Sequence, residues 1–183
     1  PAFPEGGVAR VHFIIGRLGG KTPRIPQAKL EEAIRLISTP WEERLAALAK
    51  DSPRLQVATA YQEAFSPEET ARDLPDITAC ASGEAIRIEF YKRPGDPANS
   101  VSLKIFHHDH HLSLSRRVPL LENLGFHVVS EQTFEIHVGS DATLVVLHDM
   151  ELQLDGQGMD LAGNGQRLED AFLAAFTGAT DND

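Results

Sequence analysis

Between residues 85 and 177 the hydrophobic periodicity changes in a set order, and that order restricts the fold more than any other feature of the chain. "AIRIEFYKR", 85 to 93, alternates Ile86, Ile88 and Phe90, and "VSLKIFH", 101 to 107, alternates Val101, Leu103 and Ile105. A period of two is that of a strand with one buried face. The intervening "RPGDPANS" is rich in turn residues, so the two strands read as a hairpin. In "LSRRVPLLENLGF", Ser115 can cap a helix, Pro119 fits in or near the first turn, and Val118, Leu121 and Leu124 form a buried stripe that Gly125 terminates. "FHVVSEQTFEIHV", 126 to 138, and "ATLVVLHDMELQL", 142 to 154, are strands around the turn "GSD". "QRLEDAFLAAF" is then an amphipathic helix built on Leu168, Phe172 and Phe176. The order is β-β-α-β-β-α.

Strand, helix, two strands, helix is most of a split β-α-β, ferredoxin-like unit, in which two helices cover one face of an antiparallel sheet. No fourth strand follows the last helix, and the strand at 86–93 takes its place by pairing with 101–107 at the sheet edge. The expected class is α+β. Upstream, "VARVHFIIGR", 8 to 17, alternates Val11, Phe13 and Ile15 against Arg10, His12 and Ile14, and a helix beginning near Pro26 carries Leu30, Ala33, Ile34 and Ile37. In "TPWE", Thr39 and Glu42 have capping-box spacing before a second helix on Trp41, Leu45 and Leu48. This strand-plus-helix pattern makes residues 1–52 the back half of a preceding similar unit. Residues 53–84 read as a helical connector, with Leu55, Ala58, Tyr61 and Phe65 a turn apart, a further cap in "SPEE", and Pro75 as an interruption. Residues 85–183 hold the β-β-α-β-β-α unit.

A formal charge of -10 without a Lys/Arg cluster sets the chain's field against phosphate backbones and anionic lipid, so neither nucleic acid nor a membrane is an expected partner. The single cysteine, Cys80, cannot form an internal disulfide and reads as a small buried residue. With no apolar stretch of membrane length, the expected location is the cytoplasm. The chain begins without Met close to a strand pattern and stops soon after a helix, which suggests a piece of a longer protein.

Four of the eight histidines lie in "FHHDHHLSLS", 106 to 115. His108 and His110, separated by one residue in an extended segment, project to one side and are the candidate metal pair, although no second Cys/His pair completes a zinc set. A solvated turn and a ligand loop are the other readings. For the ligand loop, the N–H groups at the following helix start, with Arg116 and Arg117, favour a carboxylate. The effector-binding candidates are His108, Asp109, Ser113, Ser115 and Arg116. In "DGQGMDLAGNGQ", 155 to 166, the spacing of Gly156, Gly158 and Gly163 misses the dinucleotide fingerprint, so the stretch reads as a connecting loop. No P-loop, G-x-S-x-G or paired-carboxylate cleft can be assembled. No catalytic residue and no cofactor-binding residue is assigned in this chain.

The spacing of Leu103-Lys104 and His107, Leu114-Ser115, Pro119, the run Leu121-Glu122-Asn123-Leu124-Gly125, and Glu131 with Glu135-Ile136 resembles the N-terminal region of the large bacterial NAD-specific glutamate dehydrogenases. "RVHFIIGR", "WEERL" and "LEDAFLAAFTGATDND" extend the resemblance over nearly all of the chain. It implies ACT-like, ferredoxin-type modules ahead of a catalytic domain, in a cytoplasmic, oligomeric enzyme that converts glutamate and NAD to 2-oxoglutarate, ammonia and NADH. The nicotinamide site would lie beyond residue 183, and this chain would serve regulation or assembly, with the remaining domains as its partners. ACT modules often bind amino-acid effectors near the loop between first strand and first helix, where residues 107–115 stand; the usual loop glycine is missing here. The alternatives are a free-standing amino-acid sensor and a metal-binding module.

Overall fold

The computed structural model describes residues 2–5, 8–11, 14, 16, 18–20, 24–108, 113–156 and 158–178. They fall into two units that divide between Thr39 and Pro40. In the first, strands β1 (Ala2–Glu5) and β2 (Val8–Val11) pair antiparallel, Ala2 opposite Val11 and Glu5 opposite Val8. Of the strand expected over 8–17, residues 12, 13, 15 and 17 lie outside the described residues. Helix α1 (Gln27–Ser38) follows, with Leu30, Ile34 and Ile37 exposed.

The second unit opens with α2 (Trp41–Leu48), β3 (Leu55–Val57), α3 (Thr59–Ala64) and α4 (Pro67–Ala81). It continues through β4 (Ile86–Tyr91), β5 (Ser100–His108), α5 (Leu114–Asn123), β6 (Phe126–Val138), β7 (Thr143–Leu154) and α6 (Leu161–Thr177). The sheet order is β3-β6-β7-β5-β4, antiparallel throughout. β4 therefore takes the edge beside β5, as the sequence implies. At that edge, the backbone N–H of Phe90 donates to Glu169 Oε1 of α6 at 3.2 Å.

Side-chain alternation sorts the apolar residues into two cores. Val101, Leu103 and Ile105 of β5 pack with Leu120 and Leu121 of α5 and Phe172 of α6. On the other face Phe106, Phe134 and Leu147 meet Tyr61, Phe65, Leu74, Ile77 and Cys80. Burying each large aliphatic or aromatic side chain contributes about 1.5–3 kcal/mol. Helices α5 and α6 cover one face, and α4 adds a layer on the other.

Several local expectations need correcting. Residues 55–57, read as helical, are a strand on Val138, His137 and Ile136 of β6. Pro75 does not end its helix: α4 runs on to Ala81, because Leu74, Ile77 and Cys80 are all buried and their packing outweighs one missing N–H bond. Thr39 does not cap α2. Its hydroxyl donates back to the Arg35 carbonyl at 2.6 Å, and Pro40 opens the helix without a side-chain cap. α6 starts at Leu161, within the stretch read as a loop. Ser66 and Glu69 do form the reciprocal box, Glu69 N–H to Ser66 Oγ at 3.2 Å and Ser66 N–H to Glu69 Oε2 at 2.9 Å. Ser66→Ala is expected to cost about 1 kcal/mol, read as a lower urea midpoint with unchanged slope.

Candidate functional site

The strand–helix junction after β5 is where the sequence concentrates its candidates. His108 ends β5 opposite Val145 and is partly exposed. Asp109 and His110 lie outside the described residues. The N-cap of α5 is Ser113, not Ser115, with the Ser115 N–H donating to Ser113 Oγ at 3.3 Å. Arg116 reaches α6, where it donates to the Phe176 carbonyl at 3.2 Å and lies 5.0 Å over that ring. Among the described residues no three His, Cys, Asp or Glu side chains converge as a metal set.

The neighbouring residues His107 and Arg117 turn inward, each 1% exposed. Beneath α5, Arg117 Nη1 donates to Glu131 Oε1 at 2.9 Å, and the same oxygen stands 2.7 Å from His148 Nδ1. A carboxylate only accepts, so His148 Nδ1 carries the proton. His148 Nε2 lies 3.1 Å from His107 Nε2, with the rings stacked at 5.2 Å between centroids. One of these two nitrogens must donate and the other accept, so the pair fits one proton between them and is opposed by a second. The Thr133 hydroxyl lies 3.1 Å from His148 Nδ1. This chain of groups ties α5 to β5, β6 and β7. Its two histidines and the guanidinium are buried, so its part in the fold is that of a lock.

On the opposite face, Lys104 of β5 is 3% exposed and donates to Asp73 Oδ2 of α4 at 2.7 Å. Its ammonium lies 4.9 Å from the Phe65 ring centre and 4.8 Å from that of Tyr91. Burial pushes the Asp73 carboxyl up to about 6 against the pull of Lys104. Asp149, buried beside this pair, accepts from the Tyr91 hydroxyl at 2.8 Å and from Arg93. Its carboxyl is also raised by burial, although Tyr91, Arg93 and Lys104 each hold it down.

The β4-β5-α5-β6-β7 order, with the start of α6, coincides with a family model. Residues 85–164 match the glutamate dehydrogenase ACT3 domain. That segment belongs to this family. The whole chain is also similar to NAD-specific glutamate dehydrogenases: it is 27% identical, over 98% of its length, to that of Halomonas elongata, and 26% identical, over 99%, to that of Pseudomonas aeruginosa. It spans about 12% of the length of each. The two buried polar groups lie on opposite faces of one sheet, the second reaching Asp73 of α4 outside the matched segment, and sequence reading places neither. Arg117 had a signal: it precedes Leu121 by four residues and Leu124 by seven, so it falls on the buried stripe of α5.

Proposed function

We propose that this chain is a non-catalytic regulatory and assembly segment of a large, cytoplasmic NAD-dependent glutamate dehydrogenase, which deaminates L-glutamate oxidatively to 2-oxoglutarate and ammonia. The observation that carries this reading is a match to NAD-specific glutamate dehydrogenases over almost the whole chain, with the ACT3 family model on its sheet. The partners are then the other domains of the parent and further copies of it.

Among the described residues, the glycine-rich stretch after β7 does not fit NAD. It leads from an antiparallel strand, and Gly158 serves close packing: a Cβ there would stand 1.7 Å from the Ala98 carbonyl oxygen. NAD therefore belongs elsewhere in the parent. Among the described residues no helix is long and apolar enough to cross a membrane.

The test uses the full-length protein with His108→Ala, Ser113→Ala and Arg116→Ala combined. The expected result is an unchanged maximal rate of glutamate-dependent NAD reduction, with an altered response to added amino acids or an altered assembly state. Loss of turnover in a fully assembled variant would contradict a non-catalytic role.

A further inference from the structure

The core on the α4 face of the sheet is open at one place. Between α2, the turn that follows it, β3 and α4 lies a recess of about 440 Å³, walled by Trp41, Leu45, Ala49, Leu55 and Leu74. Leu45, Leu55 and Leu74 are members of that core, and Trp41 and Ala49 pack against it, so the recess is a gap in core packing. Protein interiors are close-packed and leave few voids larger than a water molecule. A void of this size forfeits dispersion contacts along its lining, and it falls within the roughly 300–1,000 Å³ of small-molecule sites.

The walls are fixed. Trp41 Nε1 donates to the Phe65 carbonyl at 2.9 Å, and its ring meets that of Tyr61 edge-on at 6.0 Å between centroids. The indole is thereby held against the core and does not turn in to fill the space. β3 sets Leu55 opposite Val138, and the Gly139 N–H donates to the Arg54 carbonyl at 2.8 Å. The rim is divided by charge. Glu42 and Glu43 stand in the first turn of α2, whose free N–H groups offset them, and Glu42 also accepts from Gln62 at 2.7 Å. Lys50 and Arg54 line the recess past the other end of α2, whose eight residues separate the two ends by about 12 Å. Among the described residues neither cation makes a side-chain hydrogen bond or ion pair, although acids outnumber bases 27 to 17 in the chain.

We propose that this recess binds a small amphipathic carboxylate, with its alkyl or aryl body against Trp41 and Leu45 and its carboxylate paired with Lys50 and Arg54. Two unpaired cations at one end of an apolar recess complement that chemistry. An amphipathic cation would depend on Glu42 and Glu43, which α2 and Gln62 already offset. A free inorganic anion would leave the apolar walls uncovered. A single turn of α-helix, about 10 Å across and 5.4 Å long, would already fill the volume, so the occupant is a small molecule. The recess is built from residues outside 85–164, and none of this depends on the identity of the parent enzyme.

Trp41 is the single tryptophan of the chain, so its emission reports on the recess alone. The experiment is titration of the 183-residue chain with octanoate, followed by calorimetry and by Trp41 emission, with octanol and octylammonium as comparison ligands. Saturable binding of one octanoate per chain is expected, with a matching change in emission. Octanol, which has the same body and no charge, should bind at least about tenfold more weakly, or about 1.4 kcal/mol, and octylammonium more weakly still. Lys50→Gln with Arg54→Gln, both at exposed positions, should reduce octanoate to the level of octanol and leave octanol unchanged. Lys29→Gln on α1, which removes a cation elsewhere, should change neither. Absence of saturable binding, binding without a change in Trp41 emission, octylammonium binding as tightly as octanoate, or unaltered octanoate binding in the double variant would each overturn the proposal. Because the readout needs no turnover, such a failure is separate from any failure of the glutamate dehydrogenase reading.

Discussion

Arg117→Ala is expected to destabilise the 183-residue chain by about 3–5 kcal/mol, the cost of removing one partner of a buried pair. The guanidinium is 1% exposed and its partner Glu131 is only 14% exposed, so the substitution leaves a carboxylate largely out of water beside a histidine pair. Glu131 Oε2 already has no hydrogen-bond partner among the described residues, so Arg117 is the main source of compensation. Urea denaturation followed by circular dichroism measures the effect. Adding Glu131→Gln to Arg117→Met should recover part of the loss, because the stranded charge is then gone. A single substitution costing less than the double would show that the charge pair is not what holds α5.

The second large effect lies on the other face. Asp73→Ala strands the Lys104 ammonium, whose side chain is 4% exposed, and should also cost about 3–5 kcal/mol. Asp73→Leu with Lys104→Met should be close to neutral or stabilising, since apolar replacement removes both desolvation penalties. Stability against pH gives an independent check. Burial raises the Asp73 carboxyl from 3.8 to about 6, so the folded chain holds this proton at pH values where the unfolded chain has lost it. The proton-linked part of the stability at this group is present in full below the unfolded value and is lost as the pH rises through about 6, leaving the pairing with Lys104. Asp73→Asn should flatten that fall. A stability that rises over the same interval only when Asp73 is present would contradict the assignment.

The order of elements was legible because it depends on one-sided burial. β4, β6 and β7 have alternating or ended apolar runs, and the αL glycine Gly125, at φ +86°, closes α5 where a stop was expected. β5 was legible as a strand but misleading about its surroundings. Its Ser102 and Lys104 look like a solvent face, yet both are buried, because α4 and the Tyr91 side of the sheet cover them. Periodicity reports which side of a strand is apolar; it carries no information on a second layer contributed by residues far away in sequence. The same limit hid β3, three residues long, whose strand conformation comes from pairing with β6 rather than from its own pattern. The histidine-rich stretch divided in a way spacing could not show. His107 stacks on His148 in the interior, and His108 stands at the strand end.

The most direct test of the central claim is an immunoblot of source-cell lysate with an antibody raised against this chain, run beside a native-gel assay for glutamate-dependent NAD reduction. The expected result is a band far above 20.0 kDa, in the fractions that carry the activity. A band at 20.0 kDa, separated from that activity, would contradict the account.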